Sequence, residues 1–267
     1  MTAWLAPATL EEALELRAER GAGATVLAGG TFLGILINEG FLSPDVLLNL
    51  GRVAELDGIG VKDGELRLGA MTTHRAVERS QVVREGWPVL ARAFSLVASP
   101  RVRNQATVGG VLADADYASD PPAILAALGA RAVLSSARGE RQVSVGELIL
   151  GHYETSIAED ELLVEVRVPP CPGRAVYRKF RSRSSEDRPC VAVAAVSGEK
   201  GLRVVVGAVA GTPQELSEAC ALGPEAAAEI ARRYAEEIEP MSDSRGSAGY
   251  RRRVIEVEVR RAVEALV

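Results

Sequence analysis

Two pairs of adjacent glycines stand beside threonines in this sequence, in the segments Ala28-Gly29-Gly30-Thr31 and Thr107-Val108-Gly109-Gly110. A pyrophosphate is bound by several backbone N–H donors, and glycine lets the main chain approach it without a Cβ in the way. A threonine hydroxyl next to such a turn is a further donor. Either pair alone is more often a plain turn, but two of them in one chain indicate a dinucleotide site.

Other nucleotide and metal motifs are missing from the sequence. The chain does not contain the Rossmann pattern G-x-G-x-x-G. Gly21 and Gly23 precede the predicted strand, and Val26 stands where the third glycine of the pattern would be. No Walker A motif is present. The three cysteines are far apart and there are only two histidines, which excludes a CxxC iron–sulfur or zinc site and a multi-histidine metal site. We expect neither a metal ligand nor a catalytic acid–base group in this chain.

The order of predicted elements indicates an α+β protein with two subdomains and a further domain. A helix ending near Arg20, a strand at 25–28 and a strand at 46–50 form a small first unit, about residues 1–52. Short strands, a hairpin at Asp63-Gly64 and several helices form a second unit, about residues 53–172. The Pro-rich stretch 169–173 is the predicted boundary to a domain at 173–267.

The last domain is predicted to hold three antiparallel strands and closing helices. The strands are expected at 175–180, 191–196 and 202–210, with a turn at 198–201. The final helix, about residues 248–266, should bury an apolar face. That face is formed by Val254, Val257, Ala262 and Leu266.

Composition narrows the choice of partners and compartment. The 267 residues carry a formal net charge of -5 without a basic block, and aromatic residues make up 4%, so nucleic acid is not an expected partner. We expect no membrane span and no signal peptide, and therefore a cytoplasmic protein. Only Lys62, Lys179 and Lys200 are lysines among 31 basic residues, so each lysine is a candidate for a specific role.

Longer motifs connect the second glycine pair to a known family. The chain reads VRNQATVGG at 102–110 and SDPP at 119–122, with AGGT at 28–31 and GAMTTH at 69–74. These motifs, in this order, resemble the flavin-binding subunits of the xanthine dehydrogenase and aerobic carbon monoxide dehydrogenase family. The similarity continues through ELLVEVRVP at 161–169, YRKF at 177–180, and DSR and YRR near the end. It covers essentially the whole chain.

The resemblance implies a fold and a cofactor site. The fold is the two-subdomain FAD-binding fold of the vanillyl-alcohol-oxidase type, followed by a C-terminal α+β domain. Residues 28–32 and 107–111 would wrap the FAD pyrophosphate, and Arg103 and Asn104 would brace the loop. The implied cofactor-binding residues are Ala28, Gly29, Gly30, Thr31, Phe32, His74, Thr107, Val108, Gly109, Gly110, Val111, Ser119, Asp120, Leu163 and Lys179.

Several of these residues have a second interpretation. Asp120 would bind the ribityl or ribose region, yet Asp before proline is a common helix N-cap, which its spacing favours. Leu163 would pack on the isoalloxazine ring or simply lie in a core strand. Lys179 would stabilise reduced flavin or be a solvated strand lysine. His74 would touch the pyrophosphate or satisfy a turn.

The chain also departs from the family pattern. Phe32 replaces the acidic residue that follows Gly-Gly-Thr, Val111 replaces the common asparagine after Gly-Gly, and Pro121 replaces the leucine of Asp-Leu-Pro. The backbone around both glycine pairs is unaffected by these changes.

The implied function is that of an electron-transfer oxidoreductase subunit. Electrons would arrive from a molybdenum-pterin large subunit through an iron–sulfur small subunit, pass through FAD, and leave to NAD or a quinone. The alternatives are a flavin-free assembly subunit of the same fold and a stand-alone flavin oxidase. The sequence does not identify the substrate of the complex, its terminal acceptor or its oligomeric state.

Overall fold

The first region of the chain is a small unit of three strands and two helices. The computed structural model describes residues 2–171, 173–198 and 201–267, so Pro172 of the predicted linker and Glu199 and Lys200 of the predicted turn lie outside the described residues. Strands β1 to β3 form a parallel sheet in the order β1-β3-β2. The elements are β1 (Ala3–Leu5), α1 (Leu10–Arg20), β2 (Ala24–Leu27), α2 (Leu33–Asn38) and β3 (Val46–Asn49).

The second region is an antiparallel sheet covered by short helices. Its order is β4-β5-β10-β6-β7, so the last strand of the region, β10, inserts at the centre. The elements are β4 (Ile59–Lys62), β5 (Glu65–Gly69), α3 (His74–Arg79), α4 (Gln81–Gly86), α5 (Pro88–Ser95), α6 (Pro100–Arg103), α7 (Val108–Asp114), α8 (Pro121–Ala127), β6 (Arg131–Ser136), β7 (Gly139–Ser144), α9 (Val145–Leu148), β8 (Ile149–Gly151), β9 (Glu154–Thr155) and β10 (Leu162–Val168).

The third region pairs an antiparallel sheet, in the order β11-β12-β13-β14, with two long helices. Helices α11 and α12 pack together and α12 lies on the sheet, which buries a separate core of mostly small apolar side chains. The elements are β11 (Arg174–Phe180), β12 (Val191–Gly198), β13 (Gly201–Gly207), β14 (Gln214–Glu215), α10 (Ser217–Cys220), α11 (Ala227–Glu237) and α12 (Ala248–Glu264).

The predicted α+β class is confirmed, and so are the main elements. The Asp63-Gly64 hairpin joins β4 and β5, and both residues have a positive φ, of 55° and 78°, as a type I′ turn requires. One detail of the last helix is wrong: Val257 is 38% exposed, whereas Val254, Ala262 and Leu266 are buried. Val257 lies one residue off the stripe that faces the sheet.

The strand predicted at 25–28 is half-buried and not buried. Strand β2 is an edge strand of its sheet, and Thr25 and Val26 face a cavity at this edge. An edge strand beside a cavity lacks the second packing partner that full burial needs.

A carboxylate that pairs with a buried arginine joins the C-terminal domain to the rest of the chain. The Arg251 side chain is fully buried, and its guanidinium donates to Asp243 Oδ1 at 2.6 Å and to the Ala208 carbonyl at 3.0 Å. Asp243 Oδ2 accepts the hydroxyl of Tyr117, from the loop between α7 and α8, at 2.5 Å. One carboxylate thus neutralises a buried cation and binds the neighbouring domain. Arg245, which also donates to Asp243, helps to hold its pKa below the ordinary value.

We predict that Asp243→Asn destabilises the fold by about 3 kcal/mol or more, because Arg251 is left as a buried charge without a counterion. Urea unfolding of the full chain measures this. A carboxylate with a lowered pKa contributes its stability above the unfolded pKa of about 4, and loses it as the pH falls through the folded value. The variant should therefore lose less stability than the wild type on acidification. Asp45→Asn, at an exposed position, is the control; equal stability of both variants would contradict the prediction.

Candidate functional site

The first glycine segment presents a row of free main-chain donors. The segment follows β2 and leads into α2, with Gly30 in a left-handed conformation at φ +66°. Within the described part of the chain, none of the N–H groups from Ala28 to Leu33 donates to a protein acceptor. The same six residues line one cavity of about 880 Å³. Consecutive unpaired N–H groups on a turn form an anion-binding nest.

Gly29 brings the two glycine segments into contact. A Cβ placed on Gly29 would stand 1.9 Å from the carbonyl oxygen of Gln105 and 2.7 Å from its carbon. No side chain fits at that distance, so the residue must be glycine although its φ is ordinary. Across the same contact, a Cβ on Gly110 would lie 3.5 Å from the Cβ of Ala28. Backbone packing therefore brings together two segments that lie about 80 residues apart in the sequence.

The second glycine pair belongs to a helix, which corrects the predicted loop. Thr107 is the N-cap of α7, and its Oγ1 accepts from the N–H of Gly110 at 3.0 Å. The N–H of Val111 donates to the Thr107 carbonyl at 3.1 Å. Val108 is fully buried in the core and does not border the cavity. Thr107, Gly109, Gly110 and Val111 do border it.

The N–H groups of this segment are also engaged by the neighbouring turn. Val108 donates to Thr72 O at 3.0 Å and Gly109 donates to Ala70 O at 2.8 Å. A Cβ on Gly109 would stand 2.6 Å from the Cβ of Ala70, so this glycine serves packing. The N–H groups from Val108 to Val111 thus have protein partners in this structure, and the expectation that residues 107–111 wrap a pyrophosphate stays a prediction.

His74 lies at the end of the turn formed by residues 70–74 and bonds to the segment that precedes α7. Its N–H donates to Ala106 O at 2.8 Å, and its Nε2 lies 3.2 Å from Thr107 O. A carbonyl only accepts, so Nε2 carries the proton and Nδ1 is an acceptor, which has no partner among the described residues. Burial lowers the pKa of His74 to about 4, which leaves a neutral ring at neutral pH. A neutral acceptor nitrogen does not bind a phosphate, and since His74 also lines the cavity, its role in the site stays a prediction.

A buried network crosses from the second region to the C-terminal domain. Asp120 Oδ2 accepts from Lys179 Nζ at 2.8 Å, and Asp120 Oδ1 accepts from the Tyr177 hydroxyl at 2.7 Å. Both ionised side chains are almost fully buried, at 4% and 1% exposure, and both line the cavity. Burial raises the pKa of Asp120 and lowers that of Lys179, and in each case the charge of the partner opposes the shift.

Two sequence interpretations are overturned by this network. Asp120 precedes α8, but its side chain makes no capping hydrogen bond, because both oxygens point to the partner domain. Lys179 is not a solvated strand lysine. It is a fixed cation in the cavity wall, compensated by Asp120.

Leu163 lines the cavity from β10, directly before an irregularity in this strand. The pairing of β10 with β6 shifts between Leu163 and Glu165, so Val164 is the extra residue of a β-bulge. Leu162, Leu163 and Val164 are all buried in succession, and Leu162 and Leu163 line the cavity. Leu162 and Leu163 themselves pair regularly with Ser135 and Leu134 of β6, and they pack in different core clusters.

The residues that depart from the family pattern lie at the cavity as well. The Phe32 ring stacks on Tyr153 with centroids 5.4 Å apart, and the Arg188 guanidinium lies 5.7 Å from the Phe32 centroid. Arg188 in turn pairs with buried Asp116. Val111 and Ser119 border the cavity without any polar contact described for their side chains. Phe32 thus replaces a charge by an aromatic contact at the cavity edge.

Several cavity residues were not anticipated from the sequence. One group lies at the end of α1 and on β2, and another on the turn after α5. A third comes from the loop between β11 and β12 and the segment before α12. They include Arg17, Thr25, Val97, Ala98, Asp114, Arg183, Arg188, Ser244 and Arg245. Asp114 stands out only in the structure, because burial and the nearby charge of Asp116 raise the pKa of its carboxyl group to about 7.

The site and fold together define a dinucleotide-binding protein of α+β architecture. The donor nest, the cavity size, which lies in the range of cofactor sites, and the buried cation all fit a flavin dinucleotide. Two family models account for the chain: the FAD-binding domain in molybdopterin dehydrogenase matches residues 1–171, and the C-terminal domain of CO dehydrogenase flavoprotein matches residues 175–266.

Relatives and solved structures agree over the full length. The chain is 32% identical to subunit alpha of the 6-hydroxypseudooxynicotine dehydrogenase complex of Paenarthrobacter nicotinovorans, covering 96% of this chain and 90% of that one. It is 32% identical to the carbon monoxide dehydrogenase medium chain of Hydrogenophaga pseudoflava, covering 97% and 95%.

The structure of carbon monoxide dehydrogenase from Hydrogenophaga pseudoflava superimposes with a TM-score of 0.94 at 32% identity, over 99% of this chain and 96% of that one. Quinoline 2-oxidoreductase from Pseudomonas putida 86 gives a TM-score of 0.94 at 30% identity, over 100% and 96%. The chain belongs to the family of FAD-binding medium subunits of molybdenum hydroxylases. It is an oxidoreductase subunit whose cofactor is FAD.

We predict that Gly29→Ala loses FAD, because the added methyl group would collide with the Gln105 carbonyl and push the nest away from the second segment. Gly34→Ala is the matched control: Gly34 lies five residues on, in α2, and a Cβ there meets nothing within 4 Å. Flavin content after gel filtration measures the effect. Equal FAD retention by the two variants would show that the contact between the segments does not build the site.

Proposed function

We propose that the FAD pyrophosphate rests on the N–H groups of Ala28, Gly29, Gly30, Thr31, Phe32 and Leu33. The single observation that carries this proposal is the run of unpaired main-chain donors at the cavity wall. The nest is the part of the cavity best suited to an anion, since the N–H groups from Val108 to Val111 are already bonded. The second segment then acts as a wall, through Thr107, Gly109, Gly110 and Val111.

The flavin ring is placed at the end of the cavity that Leu163, Asp120 and Lys179 line. Leu163 offers an apolar contact surface for a planar ring, and Lys179 is a buried cation whose ammonium bonds to Asp120 at 2.8 Å. A cation beside the ring favours the reduced flavin, which carries more negative charge. Ser119, next to Asp120, borders the same wall. Supporting this placement, the two glycine segments and this cluster bound one continuous cavity.

In this proposal the chain relays electrons and leaves substrate chemistry to another subunit. When bound, FAD accepts electrons one at a time and releases them as a pair. The chain's own residues hold the cofactor, orient its ring and set the local charge. The partners are an iron–sulfur small subunit and a molybdenum-pterin large subunit, and the external acceptor is NAD or a quinone. Support comes from the named relatives, one of which is a subunit of a dehydrogenase complex and another a medium chain.

Compartment and domain division complete the proposal. No helix in the described part of the chain is long and apolar enough to cross a membrane. We infer a cytoplasmic location, and the three free cysteines support a reducing compartment. We also infer domains at 1–172, with subdomains at about 1–52 and 53–172, and at 173–267. The core between the C-terminal sheet and its helices, whose buried residues all come from 190–266, supports the C-terminal division.

The full chain should purify yellow with about one FAD per chain, since one cavity of this size and chemistry is described. Flavin absorbance and release of FAD on acid precipitation measure the content. Protein that is colourless and takes up no added FAD would contradict the proposal, and would favour the flavin-free assembly subunit.

A further inference from the structure

A turn in the cavity wall is held by two buried cations. The turn, Leu96 to Ser99, follows α5, and Val97 and Ala98 line the cavity. Lys179 Nζ donates to Leu96 O at 2.9 Å. Arg103 Nη1 donates to Val97 O at 2.6 Å and to Ala98 O at 2.9 Å. Three consecutive carbonyls thus receive charge-assisted hydrogen bonds, which are about twice as strong as neutral ones.

The Arg103 side chain is itself fixed. It is 8% exposed, and its Nε donates to Glu78 Oε2 at 2.9 Å. Glu78 is held in turn by Arg75 at 2.7 Å. Nearby, Ala98 has a φ of +38°, a conformation that a residue with a Cβ rarely adopts. Ala98 is not a glycine, and the hydrogen bonds from Arg103 to the carbonyls of Val97 and Ala98 hold it in this conformation.

These bonds also set the direction of the neighbouring N–H groups. In a trans peptide the carbonyl of one residue and the N–H of the next point in opposite directions. Because the carbonyls of Val97 and Ala98 point to Arg103, the N–H groups of Ala98 and Ser99 point away from it. Neither N–H has an acceptor within the described residues. The N–H of Val97, by contrast, donates to Phe94 O at 3.2 Å.

We propose that Arg103 is a positioning residue of the flavin site, which turns the Ala98 N–H group toward the carbonyl and nitrogen edge of the flavin ring. This inference rests on the proposed function and deepens it. Lys179 joins the two features, since its ammonium bonds both to Asp120 and to Leu96 O of the same turn. A donor aimed at this edge favours the reduced ring, which is richer in electrons.

The test is the midpoint potential of FAD bound to Arg103→Lys. Lysine keeps the charge but lacks the planar fork that bonds Glu78 and two carbonyls together. We expect affinity for reduced FAD to fall about tenfold more than affinity for oxidised FAD, which lowers a two-electron potential by about 30 mV. Arg101→Lys, an exposed neighbour with no side-chain partner described, is the matched control and should keep the wild-type potential.

A potential of Arg103→Lys equal to that of the control would overturn the inference, even if thermal stability or FAD affinity fell, because a purely structural role does not move the potential selectively. Where Arg103→Lys loses FAD or does not fold, Glu78→Gln decides: a smaller shift in the same direction supports the inference, and an unchanged potential overturns it. Wild-type chain that binds no FAD would instead defeat the proposed function, so the two failures are distinguishable.

Discussion

The close contact between Gly29 and the carbonyl of Gln105 is the constraint on which the site depends. It joins a small parallel unit to a larger antiparallel region through backbone atoms alone, with no room for a Cβ. Since the contact is made at the base of the first glycine segment, it fixes where the six free N–H groups point. The second segment is held for this purpose by the 70–74 turn, whose carbonyls take up its N–H groups. The two similar sequence motifs therefore have different roles.

The C-terminal domain closes the cavity with polar and charged side chains that bond to the second region. Two carboxylates are central to the contacts across the boundary: Lys179 and Tyr177 bind Asp120, and Asp243 binds Tyr117. In each case a carboxylate, buried for Asp120 and partly exposed for Asp243, accepts hydrogen bonds from a cation and from a phenol hydroxyl. Buried ion pairs contribute little net stability when complete and are costly when broken, so these pairs specify the relative placement of the domains more than they strengthen the fold. The Lys179 pair does so within the cavity wall.

Local patterns in the sequence predicted the elements but not their hydrogen-bond partners. The Asp63-Gly64 hairpin and the last helix followed from turn chemistry and periodicity. The pairing of Gly109 with Ala70 did not, because it depends on how segments nearly 40 residues apart pack together. The left-handed conformation of Ala98 could not be predicted from the sequence, because glycine is the residue type that normally indicates such a conformation. Asp120 looked like a helix cap because its true partners lie in another domain, and Arg103 was expected to brace the glycine loop rather than the turn after α5.

The central claim is that the pyrophosphate binds the first glycine segment and not the second. Amide hydrogen exchange of the full chain, with and without FAD, tests it residue by residue. The account predicts that FAD slows exchange at residues 28–33, while the amides from Val108 to Val111, already bonded within the protein, exchange slowly in both states. Protection by FAD at 108–111 with no change at 28–33 would contradict it.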